Sequence, residues 1–199
     1  FSIYKWLEGT SGNLLKLNDK ALESIAIQLA KFLKELHGIV GIDGPSPGKH
    51  NGWGGDHVSV YDEGARKQIS ELSEIIDEYK AMELWEQACK TKRNKTPVWI
   101  HGDFAFGNFL IKDGKLSGVI DFGGMAIGDP AGDLVIAWTF LKDESREIFK
   151  QVMDLDSDTW LRSRGWALWK ATFDLCEIKD KNSAEALIQK RVIEEVLVS

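Results

Sequence analysis

The sequence is poor in the features that mark secreted and membrane proteins. It has two cysteines, Cys89 and Cys176, in 199 residues. Two cysteines form no disulfide framework, so we expect a reducing, cytoplasmic setting. No apolar run approaches the roughly 20 residues of a membrane-spanning helix, and no basic segment precedes an apolar one as in a signal peptide. We therefore expect no membrane partner.

An excess of positive charge is also missing. Lys and Arg number 25 against 31 Asp and Glu, which gives a net charge of −6. Nucleic-acid binders need a basic face, so the balance argues against a nucleic-acid partner. It is compatible with a cationic small molecule. The hydrophobic fraction of 43% and the charged fraction of 28% are ordinary for a globular domain, and they do not determine an oligomeric state.

Apolar residues at helical spacing predict that much of the chain is helical. The clearest helix begins at a cap, Asn18 or Asp19, and ends near His37. A second helical region is expected from Gly64 to about Lys90. Further helices are expected over residues 130–141, 144–153, 157–178 and 183–198.

Short strands are predicted at the start and at the centre of the chain. Phe1–Trp6 and 97–101 are apolar strand candidates. Asn108–Lys112 and Lys115–Asp121 flank an Asp-Gly pair, a strong hairpin signal. The expected class is therefore α+β, mainly helical, with a small central β-hairpin.

The hairpin suggests a place for a cation. If Lys112 pairs with Lys115 and the ladder is regular, Asn108 faces Val119. Asn108 and Asp121 are then diagonal neighbours on one face, with Cα atoms about 7–8 Å apart. An amide oxygen and a carboxylate at that separation can share Mg²⁺. Asp103, on the loop before the hairpin, is placed to orient the proton of an attacking hydroxyl.

Several motifs in order carry a family resemblance. HGDFAFGN at 101–108 resembles the catalytic loop of the aminoglycoside phosphotransferase-like enzymes, which have a protein-kinase-like fold. IDFGG at 120–124 is similar to their metal-binding segment, and GDPAGDL at 128–134 to the helix start that follows it. YKWLEG at 4–9 resembles the hinge between two lobes, and WALWK at 166–170 is a further likeness.

The resemblance implies a role for each residue of the central motifs. Asp103 would be the catalytic base. Asn108 and Asp121 would hold Mg²⁺ on the phosphates of ATP or GTP. Asp133 would accept hydrogen bonds from the backbone near His101.

The resemblance also implies a nucleotide-base site. The Lys5 carbonyl and the Leu7 amide would bind the edge of the base, and Leu110 and Ile120 would form its floor. A regular hairpin register places Val119 on the ligand face instead of Ile120, so the two arguments disagree at that position.

Two departures from the kinase pattern shape the expectation for the chain. Ala105 occupies the position where protein kinases usually carry Lys, which favours a small-molecule substrate. No Gly-rich strand-loop-strand precedes Tyr4. Residues 1–9 are therefore expected to be the end of an amino-terminal lobe strand and the hinge, and 10–199 the helical carboxy-terminal lobe. By itself such a lobe should bind nucleotide poorly and be inactive.

The expected function is an ATP- or GTP-dependent phosphotransferase acting on a hydroxyl of a small molecule. An aminoglycoside or another amino alcohol fits, and antibiotic resistance is one role among several. A non-catalytic kinase-fold binding module is the alternative. A metal-dependent phosphoesterase is disfavoured, because it needs several ligand histidines near its carboxylates, whereas Asn108 is followed by Phe109 and no Asp-x-His sequence occurs.

Overall fold

The structure, a computed structural model, describes residues 5–198. These residues contain seven α-helices: Asp19–His37 (α1), Asp62–Glu71 (α2), Glu78–Lys90 (α3), Ile136–Thr139 (α4), Asp143–Met153 (α5), Ser157–Glu177 (α6) and Ala184–Val198 (α7). They also contain five short strands: Thr10–Ser11 (β1), Val98–Ile100 (β2), Phe109–Lys112 (β3), Lys115–Val119 (β4) and Ala126–Gly128 (β5). The mainly helical α+β class is confirmed. Of the strand predicted over 1–6, residues 1–4 lie outside the described part, and Lys5 and Trp6 are not in a strand.

Helix α1 follows the sequence prediction closely. The Asn18 side chain caps it by accepting a hydrogen bond of 2.9 Å from the Ala21 amide. Its apolar stripe is buried, with Ile25 and Leu29 almost fully so, and it packs against α5. Amphipathic spacing is enough to place a helix of this kind.

The helical region predicted over 64–90 is divided in two. α2 ends at Glu71, and α3 begins at Glu78 after a turn. The Asp77 carboxylate accepts a hydrogen bond from the Lys80 amide and thereby starts the new helix. Beyond the break burial is mixed, since Leu84 is 4% exposed whereas Tyr79 is 79% exposed.

Helix α6 is the centre of the core. It packs against α3, α7 and the 3₁₀ helix Pro130–Val135, and about half of its positions are buried, including Leu168 and Leu175. Although it has 21 residues, neither it nor any other helix within 5–198 combines the length and hydropathy that a bilayer crossing requires.

The hairpin contains a β-bulge that the sequence prediction missed. Lys112 pairs with Lys115 as predicted, but Phe109 pairs with Val119, because the register shifts between Leu110 and Ile111. Asn108 therefore does not face Val119, and the regular register was wrong beyond the turn. Because of the extra residue, the Val119 side chain packs toward the core, and the side chain of Ile120 lies on the other face.

Two connections run between the same two small sheets and so come together. β1, β3 and β4 form one antiparallel sheet, and β2 pairs with β5 in the other. Residues 101–108 lead from β2 to β3, and residues 120–125 lead from β4 to β5. The fold thereby brings HGDFAFGN beside IDFGG.

Candidate active site

A buried carboxylate fixes the start of the 101–108 loop. The His101 and Gly102 amides donate hydrogen bonds of 2.8 and 2.9 Å to the two carboxylate oxygens of Asp133. Asp133 is fully buried. The role expected for it is confirmed by these contacts. His37, which the sequence analysis did not select, also contacts Asp133, with 3.4 Å between Nε2 and Oδ2.

The next part of the loop joins Asp103 to Asn108. The Asn108 side-chain nitrogen donates to the Asp103 carbonyl at 2.9 Å and to its carboxylate at 3.2 Å. The Ala105 amide also donates to the Asp103 carbonyl. The Asp103 side chain remains exposed. It is therefore oriented by Asn108 and still open to a ligand.

His101 and Asn108 fix the approach to Asp121. The Ile120 amide donates to the Asn108 carbonyl at 2.9 Å. The Ile120 carbonyl lies 2.9 Å from His101 Nε2. Since the Asp103 amide donates to His101 Nδ1, the ring proton is on Nε2. His101 is thus a structural residue.

Asp121 has a left-handed backbone, with φ 62°, which Asp tolerates better than most residues. Its side chain is exposed, and no residue within 5–198 gives it an ion pair or a side-chain hydrogen bond. Asp103 and Asn108 touch, whereas Asp121 is joined to them through the backbone of Ile120.

The predicted nucleotide residues line one large cavity. Lys5, Leu7, Leu110 and Ile120 all face a space of about 1070 Å³, together with Asp121. Because of the bulge, Ile120 faces this cavity and Val119 packs on the core, so the regular register placed Val119 on the wrong face.

A smaller cavity of about 180 Å³ lies beside Asp103. Trp166, Trp169 and Lys170 of α6 line it with Phe104. Trp169 stacks on Tyr61 with ring centroids 4.0 Å apart, and this contact fixes the position of the Trp169 ring at the cavity. In the sequence analysis, Trp166 and Trp169 entered only through the WALWK likeness.

The 101–108 and 120–125 connections approach each other closely at Gly102. Gly102 has φ +84°, and a Cβ there would lie 1.9 Å from the Gly124 carbonyl oxygen. The Asn51 side chain donates to the Gly124 carbonyl at 3.2 Å and to the Gly54 carbonyl at 2.9 Å. Asn51 thus joins a third loop to the site, and its sequence context gave no signal for this.

The oxygen groups fit a hard cation such as Mg²⁺. Because the Asn108 nitrogen is engaged by Asp103, its Oδ1 is left as an acceptor, and the Asp121 carboxylate has no competing partner among the residues that the structure describes. Amide and carboxylate oxygens are the donors that Mg²⁺ prefers. Within 5–198, no three His, Cys, Asp or Glu side chains form a metal cluster.

Comparison with known proteins identifies the family. A sequence model of the phosphotransferase enzyme family matches residues 1–166. The chain belongs to this family. Aminoglycoside 3'-phosphotransferases from Escherichia coli and Salmonella typhimurium are each 30% identical to this family member over 137 residues, which is 65% of this chain and 48% of the relative. The chain spans about half the length of these curated relatives.

Solved structures show the fold of this phosphotransferase family member. A GDP and kanamycin complex of APH(2")-IIia superposes with a TM-score of 0.64 at 23% identity, covering 98% of this chain and 70% of that one. A thermostable mutant of the aminoglycoside phosphotransferase APH(4)-Ia gives 0.61 at 13% identity, with the same coverage of 98% and 70%. The expected fold, that of the aminoglycoside phosphotransferases with their protein-kinase-like architecture, is confirmed.

Proposed function

We propose that the protein containing this chain transfers the terminal phosphoryl group of ATP or GTP to a hydroxyl of a small molecule, an aminoglycoside or another amino alcohol. The observation that carries the proposal is the pairing of Asp103 with Asn108. An exposed carboxylate is oriented by its neighbour at the edge of a cavity, on a loop that Asp133 anchors.

The large cavity supports a nucleotide site. Leu7, Leu110 and Ile120 offer apolar surface on which a base can stack. The Lys5 carbonyl and the Leu7 amide would bind the edge of the base. The domain division, with residues 1–9 ending a first lobe and 10–199 forming the second, is part of this proposal. A second lobe over this cavity would enclose the nucleotide.

Asn108 and Asp121 would hold Mg²⁺ through side-chain oxygens. When bound, the cation would neutralise charge on the transferring phosphoryl group. Asn108 would then have two functions, since its nitrogen orients Asp103 and its oxygen faces the metal. The amide geometry permits both at once.

Asp103 would act on the acceptor. As the acceptor oxygen forms its bond to phosphorus, Asp103 orients the hydroxyl and takes its proton, and the nucleoside diphosphate leaves with the electrons of the broken P–O bond. The acceptor would enter the cavity along Trp166 and Trp169. Asp103 and Lys170 are the charged side chains lining it.

The test is a phosphorylation assay of the natural protein that contains this chain. ATP and GTP, each with Mg²⁺, are offered with aminoglycosides, smaller amino alcohols and neutral polyols, and products are identified by mass. We expect a phosphorylated acceptor with one of these classes. Nucleotide binding with neither a phosphorylated product nor slow nucleotide hydrolysis would favour a binding module instead.

A further inference from the structure

A third cavity lies away from Asp103, between the loop that leads into β2 and the start of α6. Its volume is about 110 Å³, enough for several waters or a small ion. We call it the α6 cavity. Arg93 and Arg162 line it, with Lys92, Lys95, Asp156 and His37.

Two guanidinium groups at this cavity share one carboxylate. Arg162 Nε donates to Asp129 Oδ2 at 2.5 Å, and Arg93 Nη1 donates to Asp129 Oδ1 at 3.2 Å. The Arg162 side chain is 2% exposed and that of Arg93 16%. One positive charge is thus left uncompensated within this pair of buried contacts, and an uncompensated buried charge is destabilising.

Hydrogen bonding at the same place is also incomplete. Nη1 of Arg162 is buried and has no hydrogen-bond partner within the described residues. Burial lowers the pKa of Arg93, and the charge of Arg162 adds to this, whereas the charges of Asp129 and Asp156 oppose it. A guanidinium in this position favours an anion, because charge-assisted hydrogen bonds to oxyanions are strong.

Around the cavity, cationic side chains outnumber carboxylates. Lys95 is paired with Asp156 at 2.8 Å, whereas Lys92 has no ion pair within 5–198. Two carboxylates, those of Asp129 and Asp156, therefore lie near four cationic side chains: Lys92, Arg93, Lys95 and Arg162. A third carboxylate, that of Asp133, contacts His37. The cavity also adjoins the amino-terminal end of α6, where the Asp156 carboxylate already caps the helix.

We propose that the α6 cavity binds a small oxyanion such as inorganic phosphate, held by the guanidinium groups of Arg93 and Arg162. The ion compensates the charge that Asp129 leaves unpaired. This site is separate from Asp103 and Asp121, and its occupation requires neither nucleotide nor catalysis.

The test is phosphate binding by the natural protein, measured by equilibrium dialysis with radiolabelled phosphate at constant ionic strength. We expect saturable binding at one site and a melting temperature that rises with phosphate concentration. Arg93→Gln should lower the affinity at least tenfold. Arg66→Gln is the matched control, because Arg66 pairs with Asp62 and Glu86 on the surface, and it should leave binding unchanged.

Either of two results overturns the proposal: no phosphate binding by the wild type, in which case the cavity holds water only, or equal affinity in Arg93→Gln and Arg66→Gln. If Arg93→Gln does not fold, Lys92→Gln takes its place, because Lys92 is exposed at the cavity. It should weaken binding severalfold, and an unchanged affinity would equally overturn the proposal.

Discussion

The side-chain nitrogen of Asn108 donates hydrogen bonds to both the carbonyl and the carboxylate of Asp103. One amide therefore fixes the backbone and the side chain of a residue five positions earlier. The contact also gives the two polar atoms of the amide different functions, because the nitrogen is bound to Asp103 and the oxygen can accept from or coordinate another group. This contact is a physical reason for the five-residue spacing between Asp103 and Asn108.

Replacing Ile120 or Val119 by Ala should have different effects. Ile120 lines the large cavity, whereas Val119 packs on the core. We expect Ile120→Ala to weaken nucleotide binding about fivefold, from the loss of roughly 1 kcal/mol of apolar contact. Val119→Ala should instead lower the free energy of unfolding by about 1 kcal/mol. Calorimetric titration and denaturant unfolding measure the two effects, and the reverse assignment would restore the regular hairpin register.

The hairpin also shows the limit of sequence interpretation. The Asp-Gly turn and both strands are local signals, and they were predicted correctly. The bulge was not, because Ser117 differs from its neighbours only through contacts with the distant Glu8 carbonyl and the Leu110 carbonyl. The motif resemblance does not depend on register, and the residue it selected, Ile120, is the one that lines the large cavity.

Contacts between residues that are distant in sequence explain the other differences between the predictions and the structure. Neither His37 nor Asn51 has a local signal for its role, and each acts on a residue more than 70 positions away. The break between α2 and α3 depends on the Asp77 cap, which competes with an apolar pattern that continues through it. By contrast, α1 combines a cap with an unbroken stripe and was predicted almost to the residue.

Asp133→Asn should destabilise the protein. An amide has one acceptor oxygen, so one of the buried amides of His101 and Gly102 loses its partner. We expect a loss of about 3 kcal/mol in the free energy of unfolding, measured by urea denaturation. Asp43→Asn is the control, because Asp43 is exposed. Equal stabilities of the two variants would show that Asp133 does not anchor the loop.

Gly102→Ala should disrupt the contact between the two site loops. The new Cβ would lie 1.9 Å from the Gly124 carbonyl oxygen, at a φ of +84° that Ala avoids. The melting temperature should fall by several degrees, and phosphoryl transfer should fall with it. In Gly64→Ala the added Cβ meets no atom within 4 Å, so this helical control should be unchanged or more stable by up to about 1 kcal/mol. A Gly102→Ala protein as stable and active as the control would contradict the close approach.

Cys89 should react slowly with alkylating reagents. Burial, with the negative charge of Asp62, raises the pKa of its thiol to about 11. At pH 8 the reactive thiolate is then roughly 100-fold rarer than for a thiol of ordinary pKa. In a Cys176→Ser background, iodoacetamide labelling should be slow when the protein is folded, fast after unfolding, and should accelerate as the pH rises toward 11. Equal rates for folded and unfolded protein at pH 8 would contradict this.

The most direct measurement is phosphoryl transfer by Asp103→Asn in the natural protein that contains this chain, with nucleotide affinity measured beside it. The variant keeps the size of the side chain and removes its ability to take a proton. The account predicts that turnover falls 100-fold or more while the Kd for Mg²⁺-nucleotide stays within a few-fold. Asp113→Asn, at the exposed hairpin turn, should be unaffected. Turnover in Asp103→Asn equal to that of Asp113→Asn would contradict the central role of Asp103.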